Sequence, residues 1–97
     1  MNYGKAIRTV RAAKNLEQRE LARLAKLNAS YISLLESNKR APSASALEAL
    51  ARALRVPVYL LTLLASEKKD LHGISEAEAG KLGSHLLRAI VSEQHRE

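Results

Sequence analysis

The run from Gln18 to Glu36 constrains this chain more than any other part of it, because it places two short helical segments only three residues apart. In the first, about Gln18–Ala25, the residues spaced to face inward are Leu21, Ala22 and Ala25. In the second, about Ala29–Glu36, only Ile32 and Leu35 must point inward. The turn between them is Lys26-Leu27-Asn28. Asn28 is a favoured N-cap, since its side-chain oxygen can accept from an otherwise orphan backbone N–H. Leu27 and Ile32 fall at the two positions of a hydrophobic staple. Ala22 and Ala25 let the first helix approach its partner closely, and Leu21, Leu27, Ile32 and Leu35 lock the two at a steep angle.

The rest of the chain also reads with helical period, and no stretch alternates strictly over four or more residues between turn signals. A helix over about Tyr3–Lys14 is predicted by Tyr3, Ile7 and Val10 at i, i+4 and i+7. Asn38 stands just beyond the Ala29–Glu36 helix, where the backbone turns left-handed and Asn is tolerated. A polar, basic loop follows through Lys39, Arg40, Ala41, Pro42 and Ser43. A fourth helix starts between Ser43 and Ser45, with Ser45 and Glu48 spaced as a capping box, and shows Leu47, Leu50, Ala51 and Leu54 on one face. A fifth begins with Pro57 as its first helical residue. Ser66–Asp70 is charged, a break or a frayed helix end, and a last helix is expected from Ser75, capped with Glu78, to about Gln94. The expected fold is all-α, with five helices in residues 1–65 and a C-terminal extension over residues 66–97 that carries one more helix. No internal repeat is visible.

Charge separates the two parts. Residues 1–65 hold 11 Lys and Arg against 4 Asp and Glu, and residues 66–97 hold 5 against 6. The basic surplus therefore belongs to the N-terminal part and is the footprint of a polyanion binder. Arg23, Lys5, Arg8, Lys14, Arg52 and Arg55 are expected to be solvated or to act only in long-range steering. Absence of cysteine removes disulfides, thiolate zinc sites and cysteine nucleophiles, and fits a reducing compartment. No glycine-rich phosphate loop and no metal-ligand spacing is present; His72, His85 and His95 read as surface residues, and neither a cofactor nor an enzymatic activity is expected. Val58–Ala65 is too short to cross a bilayer, and the N-terminus lacks an apolar signal core, so the expectation is a soluble, cytoplasmic protein without membrane attachment.

These features together resemble the phage lambda repressor/Cro-like (XRE-type) helix-turn-helix family. The matching residues are Arg11, Leu16, Gln18, Glu20-Leu21-Ala22, Ile32-Ser33, Leu35-Glu36, Lys39-Arg40, Pro42-Ser43, Leu47, Leu50-Ala51, Leu54 and Val56, covering about residues 3–65. The resemblance implies a five-helix domain that binds double-stranded DNA and regulates transcription, as a sequence-specific repressor on a pseudo-palindromic operator. It makes Gln18 the residue that touches the DNA backbone and braces the reading helix, with Arg19 beside it on a phosphate. It makes Arg11 and Glu36 a structural ion pair. Ala29, Ser30, Tyr31, Ser33 and Leu34 would face the DNA, with packing as the alternative role for Tyr31 and Leu34. Asn28 would serve as cap, base contact or both. Lys39, Arg40 and Ser43 would grip phosphates, with Asn38 beside them in the DNA-binding set. Two departures stand out. Lys26 occupies the turn position usually given to glycine. The reading helix also has no Arg, Lys, Asn or Gln after Asn28, the residues that make bidentate contacts to guanine or adenine. It offers hydroxyls and apolar groups instead, so phosphate contacts and DNA shape would carry much of the affinity.

The last helix carries Ala79, Leu82, Leu86 and Ile90 in a stripe that must be buried somewhere. Two outcomes are open: it folds back on its own domain, or it builds a twofold dimer with the fifth helix. The homodimer is the expectation, with Tyr59, Leu60, Leu63, Leu64, Leu82, Leu86 and Ile90 at the interface, because one helix-turn-helix rarely supplies enough contacts. A second class of function remains beside DNA-binding regulation: a protein-interaction module, an antitoxin or regulator-antagonist, that uses the fifth helix and the tail as a partner surface.

Overall fold

The computed structural model describes residues 1–94; the expectation for His95 lies outside them. Six α-helices, α1 Tyr3–Ala13, α2 Gln18–Ala25, α3 Ala29–Glu36, α4 Ala44–Leu54, α5 Val58–Ala65 and α6 Glu76–Gln94, follow one another with a single 3-10 turn at Lys68–Asp70. No strand occurs among the described residues. The fold class is the all-α arrangement expected from the periodicity.

The core is aliphatic because the chain has no Phe or Trp to fill it. Ile7 and Val10 of α1, Leu21 of α2, Ile32 and Leu35 of α3, Leu50 and Leu54 of α4, and Leu60 and Leu61 of α5 are each less than 2% exposed. Fully burying a side chain of this size is worth roughly 1.5–3 kcal/mol. Helix α1 is the centre of the packing, since it meets α3, α4 and α5, while α2 rests on α3 and α4.

Four of the helix junctions use left-handed backbone on residues other than glycine, the first being Asn15 after α1 at φ 57°. Lys26 closes α2 at φ 58°, Arg55 closes α4 at φ 59°, and Asn38 follows α3 at φ 59°. A left-handed residue with a Cβ carries roughly 1–2 kcal/mol of strain. A cation at a helix C-terminus offsets part of it through the helix dipole, which suits Lys26 and Arg55.

The cap of α4 differs from expectation. Ser43, not Ser45, accepts the orphan Ala46 N–H at 3.1 Å; Ser45 lies inside the first turn. Likewise Pro57 is the N-cap of α5 with extended backbone, and the helix proper begins at Val58. A proline one residue earlier still costs nothing, because its missing N–H would have no intrahelical partner.

Helix α6 folds back on its own domain. Ala79 and Leu87 are buried, and Leu86, Ile90 and Val91 pack against the core beside Leu64. Gly83 permits this approach: a Cβ there would stand 2.5 Å from Leu64 Cδ2. Ser75 caps the helix, accepting from the Glu78 N–H and donating to the Glu78 carboxylate, both at 3.1 Å. Most of the stripe expected to be shared with a second chain is therefore covered within the chain, with Leu82 left open. Leu60 is fully buried in the domain's own core and is corrected out of any interface. Leu63, Leu64, Leu86 and Ile90 are only half-exposed, which leaves Tyr59 and Leu82 as the open apolar residues of that set. The segment before α6 is held by the Met1 ammonium, 2.8 Å from carboxylate oxygens of both Glu67 and Asp70.

Candidate nucleic-acid interface

The site is built around one buried charge. Glu36, the last residue of α3, is 2% exposed. A carboxylate so buried is tolerable only when charge and hydrogen bonds compensate it. Arg11 supplies both in a fork, with Nε donating to Oε2 at 2.7 Å and Nη2 to Oε1 at 2.8 Å. Its remaining Nη1 donates to the Leu16 carbonyl at 2.8 Å, which ties down the α1–α2 connection. The hydrogen bonds to Glu36 hold the Arg11 guanidinium more firmly protonated than usual, against the opposing effect of burial. Gln18, first residue of α2, donates from Nε2 to Glu36 Oε1 at 3.1 Å. One carboxylate thus fastens the N-terminus of α2, the last turn of α1 and the C-terminus of α3.

Two further groups on α1 hold the end of α3. The Arg8 guanidinium donates to the Glu36 carbonyl, so this side chain is not the merely solvated cation expected of it. Gly4 lies so close to α3 that a Cβ would fall 2.6 Å from the Leu35 carbonyl oxygen and 2.9 Å from that of Glu36. The signal for Arg8 was present in the sequence: it stands three residues before Arg11 and so shares its side of α1. Gly4 carried no signal without knowledge of what packs over it.

Held in this way, α3 presents Ala29, Ser30 and Ser33 to solvent, with Tyr31 and Leu34 half-buried beside them. Tyr31 also packs against the core, which makes it partly a structural residue. At the start of α3, Asn28 Oδ1 accepts from the Ser30 N–H at 2.9 Å and from its hydroxyl at 2.6 Å. The oxygen of Asn28 is therefore engaged as the cap. Lys39 and Arg40 are exposed in the loop after α3, and their N–H groups both reach the Leu34 carbonyl, at 2.9 and 3.3 Å. Ser43 is exposed one turn further on, its oxygen accepting at the α4 N-terminus. The N-terminus of α4 adds a partial positive charge beside these cations.

Not every expected residue joins this surface equally. Arg19 is exposed, but it lines a shallow hollow with Glu17, Glu20 and Arg23, so its charge is partly offset locally. Asn38 is exposed with its amide committed to Gly4 and Asn2. Lys14 is half-buried, and burial, with Arg55 second, lowers its pKa below the ordinary lysine value. No group of three metal-ligating side chains occurs among the described residues.

Residues 7–61, more than half of the chain, match the model of a family described as Helix-turn-helix. The chain is 33% identical over 85 residues to the immunity repressor protein of Bacillus phage phi105, an alignment that takes in 84% of this chain. It spans 59% of the length of that relative. No solved structure matches the chain.

Proposed function

Because this chain belongs to the lambda repressor/Cro-like helix-turn-helix family of DNA-binding regulators, we propose that it is a transcriptional repressor that reads a pseudo-palindromic operator as a homodimer. The observation that carries the reading is the clamp on Glu36. It holds α3 by its C-terminal end, so that Ala29, Ser30 and Ser33 stand exposed beside Lys39, Arg40 and Ser43. A rigid helix flanked by cations is what a major groove and its phosphates require. Twofold pairing is supported by Tyr59 and Leu82, which remain 64% and 51% exposed after α6 has folded back. The phage repressor's name supports repression as the direction of control.

The test uses a duplex selected by the full chain from a random pool. Two chains should bind per duplex, and log affinity should fall linearly with log salt. Lys39→Ala and Arg40→Ala should each weaken binding across sequences and reduce the salt slope by about 1. Failure to enrich any sequence, or a salt slope indifferent to both substitutions, would exclude the reading.

A further inference from the structure

The hydrogen bonds around Asn38 do more than close a helix. Its backbone at φ 59° turns the chain away from α3 and into Lys39. Its side chain is spent entirely on the other end of the molecule's first helix. Oδ1 accepts from the Gly4 N–H at 3.2 Å, and Nδ2 donates to Asn2 Oδ1 at 2.8 Å. Asn2 is itself a junction. The same Oδ1 caps α1 by accepting from the Lys5 N–H at 3.0 Å, and the Asn2 N–H donates to the Ala65 carbonyl at the end of α5 at 2.6 Å.

A glycine at position 38 would adopt this backbone without strain. The side chain is therefore not needed for the turn, and its bonds call for another account. What they fix is the direction in which Lys39 and Arg40 leave α3 relative to α1 and α5. The backbone at the start of the loop is otherwise tied to the end of α3 itself, by the Asn38 N–H on the Leu35 carbonyl at 3.1 Å and by the Lys39 and Arg40 N–H groups on the Leu34 carbonyl at 2.9 and 3.3 Å. Ties to α3 alone do not set the loop's direction relative to α1; the side-chain bonds of Asn38 do. Displacing a phosphate-binding cation by an ångström forfeits much of its contact, because charge-assisted hydrogen bonds are short and directional.

We infer that Asn2 and Asn38 are positioning residues of the DNA interface, a side-chain bridge that sets the attitude of the Lys39–Arg40 loop from the start of α1 without touching DNA. The inference rests on the proposed role of Lys39 and Arg40 at phosphates. It also makes the end of α5, through Asn2, part of the frame that holds the loop.

A double-mutant cycle on the full chain tests it. Asn38→Gly keeps the left-handed turn and deletes both side-chain bonds. Asn2→Ser keeps an N-cap for α1 but is too short to reach Asn38. Affinity for the selected duplex is measured by fluorescence anisotropy at a temperature where circular dichroism shows each variant fully folded. Each single change should weaken binding by about tenfold, and the double variant by no more than either alone. The salt slope should fall toward that of Lys39→Ala. A purely structural bridge lowers thermal stability but leaves affinity and salt slope of the folded chain at the unmodified values, and that result overturns the inference. So does a loss confined to Asn38→Gly, which would place Asn38 on the DNA itself, and so do additive losses. If Lys39→Ala and Arg40→Ala leave affinity intact, the reading of the loop has failed, and the bridge variants have nothing to position.

Discussion

Replacing Arg11 by alanine strands the Glu36 carboxylate. Of its polar partners only Gln18 Nε2, at 3.1 Å, would remain. Removing one member of a buried ion pair costs about 3–5 kcal/mol, because the surviving charge stays desolvated. The Arg11 side chain retains 20% of its accessible surface against 3% for Glu36. Water entering where the guanidinium stood can solvate one face of the carboxylate, so the expected cost is about 2–4 kcal/mol. The lost bond from Nη1 to the Leu16 carbonyl is included in that range. A domain of this size shifts its melting temperature by roughly 4–8 °C per kcal/mol, which puts the fall at about 8–30 °C. Urea unfolding followed by circular dichroism measures it directly, and the transition midpoint should move without a change in slope. A loss under about 1 kcal/mol at unchanged slope is the behaviour of a solvated surface pair, and it would refute the claim that Glu36 depends on Arg11. The companion variant Arg11→Met/Glu36→Leu separates stability from orientation. Apolar replacement of both partners should bring stability back to near that of the unmodified chain. DNA affinity should not return, since Gln18 would have lost its anchor.

The two glycines of α6 should respond oppositely to alanine. At Gly80 a Cβ meets nothing within 4 Å, so Gly80→Ala should gain about 1 kcal/mol of helix propensity, whereas at Gly83 the Leu64 side chain must move and overpacking of roughly 1–3 kcal/mol offsets the gain. Urea midpoints that rank the two variants equal would show that α6 does not press on α5 in solution. The tie between Met1 and the 3-10 turn should be pH-dependent in two directions. Hydrogen bonds donated to the Asp70 and Glu67 carboxylates raise the pKa of the Met1 ammonium, so its contribution is present below the ordinary α-amino value and is lost as pH rises through the raised one. The ammonium in turn lowers the pKa values of Glu67 and Asp70, so theirs is present above the ordinary carboxylate value and is lost as pH falls through the lowered ones. Amide hydrogen exchange corrected for intrinsic rates should show the Asp70 N–H, bonded to the Glu67 carbonyl at 2.8 Å, most protected between these limits; protection that is flat across both would contradict the tie.

Most of this fold was legible because its signals are local. The boundaries of α2 and α3 follow from Ala22, Ala25, Ile32 and Leu35 together with the Asn28 cap, and these need only a period and a capping rule. The left-handed positions at Lys26 and Asn38 are readable for the same reason, since Lys26 directly follows α2 and Asn38 stands two residues past α3. Arg55 has the same geometry after α4 but carries no Asn or Gly to announce it. The cap of α4 was ambiguous because Ser43 and Ser45 both satisfy the rule, and only packing of Ala46 and Leu50 against the core selects the first. The destination of α6 was not legible at all. An apolar stripe records that a helix must be covered, not by what, and the deciding contact between Gly83 and Leu64 lies 19 residues apart. The same limit hid Asn2, whose N-cap role is a local signal but whose bond to Asn38 is not.

The reading face gains meaning from the frame behind it. Ala29, Ser30 and Ser33 are short, so they can contact base edges only if the backbone of α3 lies close to the floor of the groove. A long Arg or Gln tolerates a helix displaced by an ångström, because it can extend; a serine cannot. Such a helix needs its orientation fixed from behind, and the fork of Arg11 on Glu36, the bracing Gln18, the Arg8 bond to the Glu36 carbonyl and the close approach of Gly4 all act on its C-terminal half. At its other end the Asn28 cap spends the Ser30 hydroxyl proton on the Asn28 oxygen, which leaves that hydroxyl to accept from a base rather than donate to one. If α3 enters the major groove as proposed, an acceptor there would be matched by adenine N6 or cytosine N4. The shortage of long polar side chains on α3 and the density of ties behind it are therefore two sides of one arrangement, in which placement supplies what side-chain reach does not.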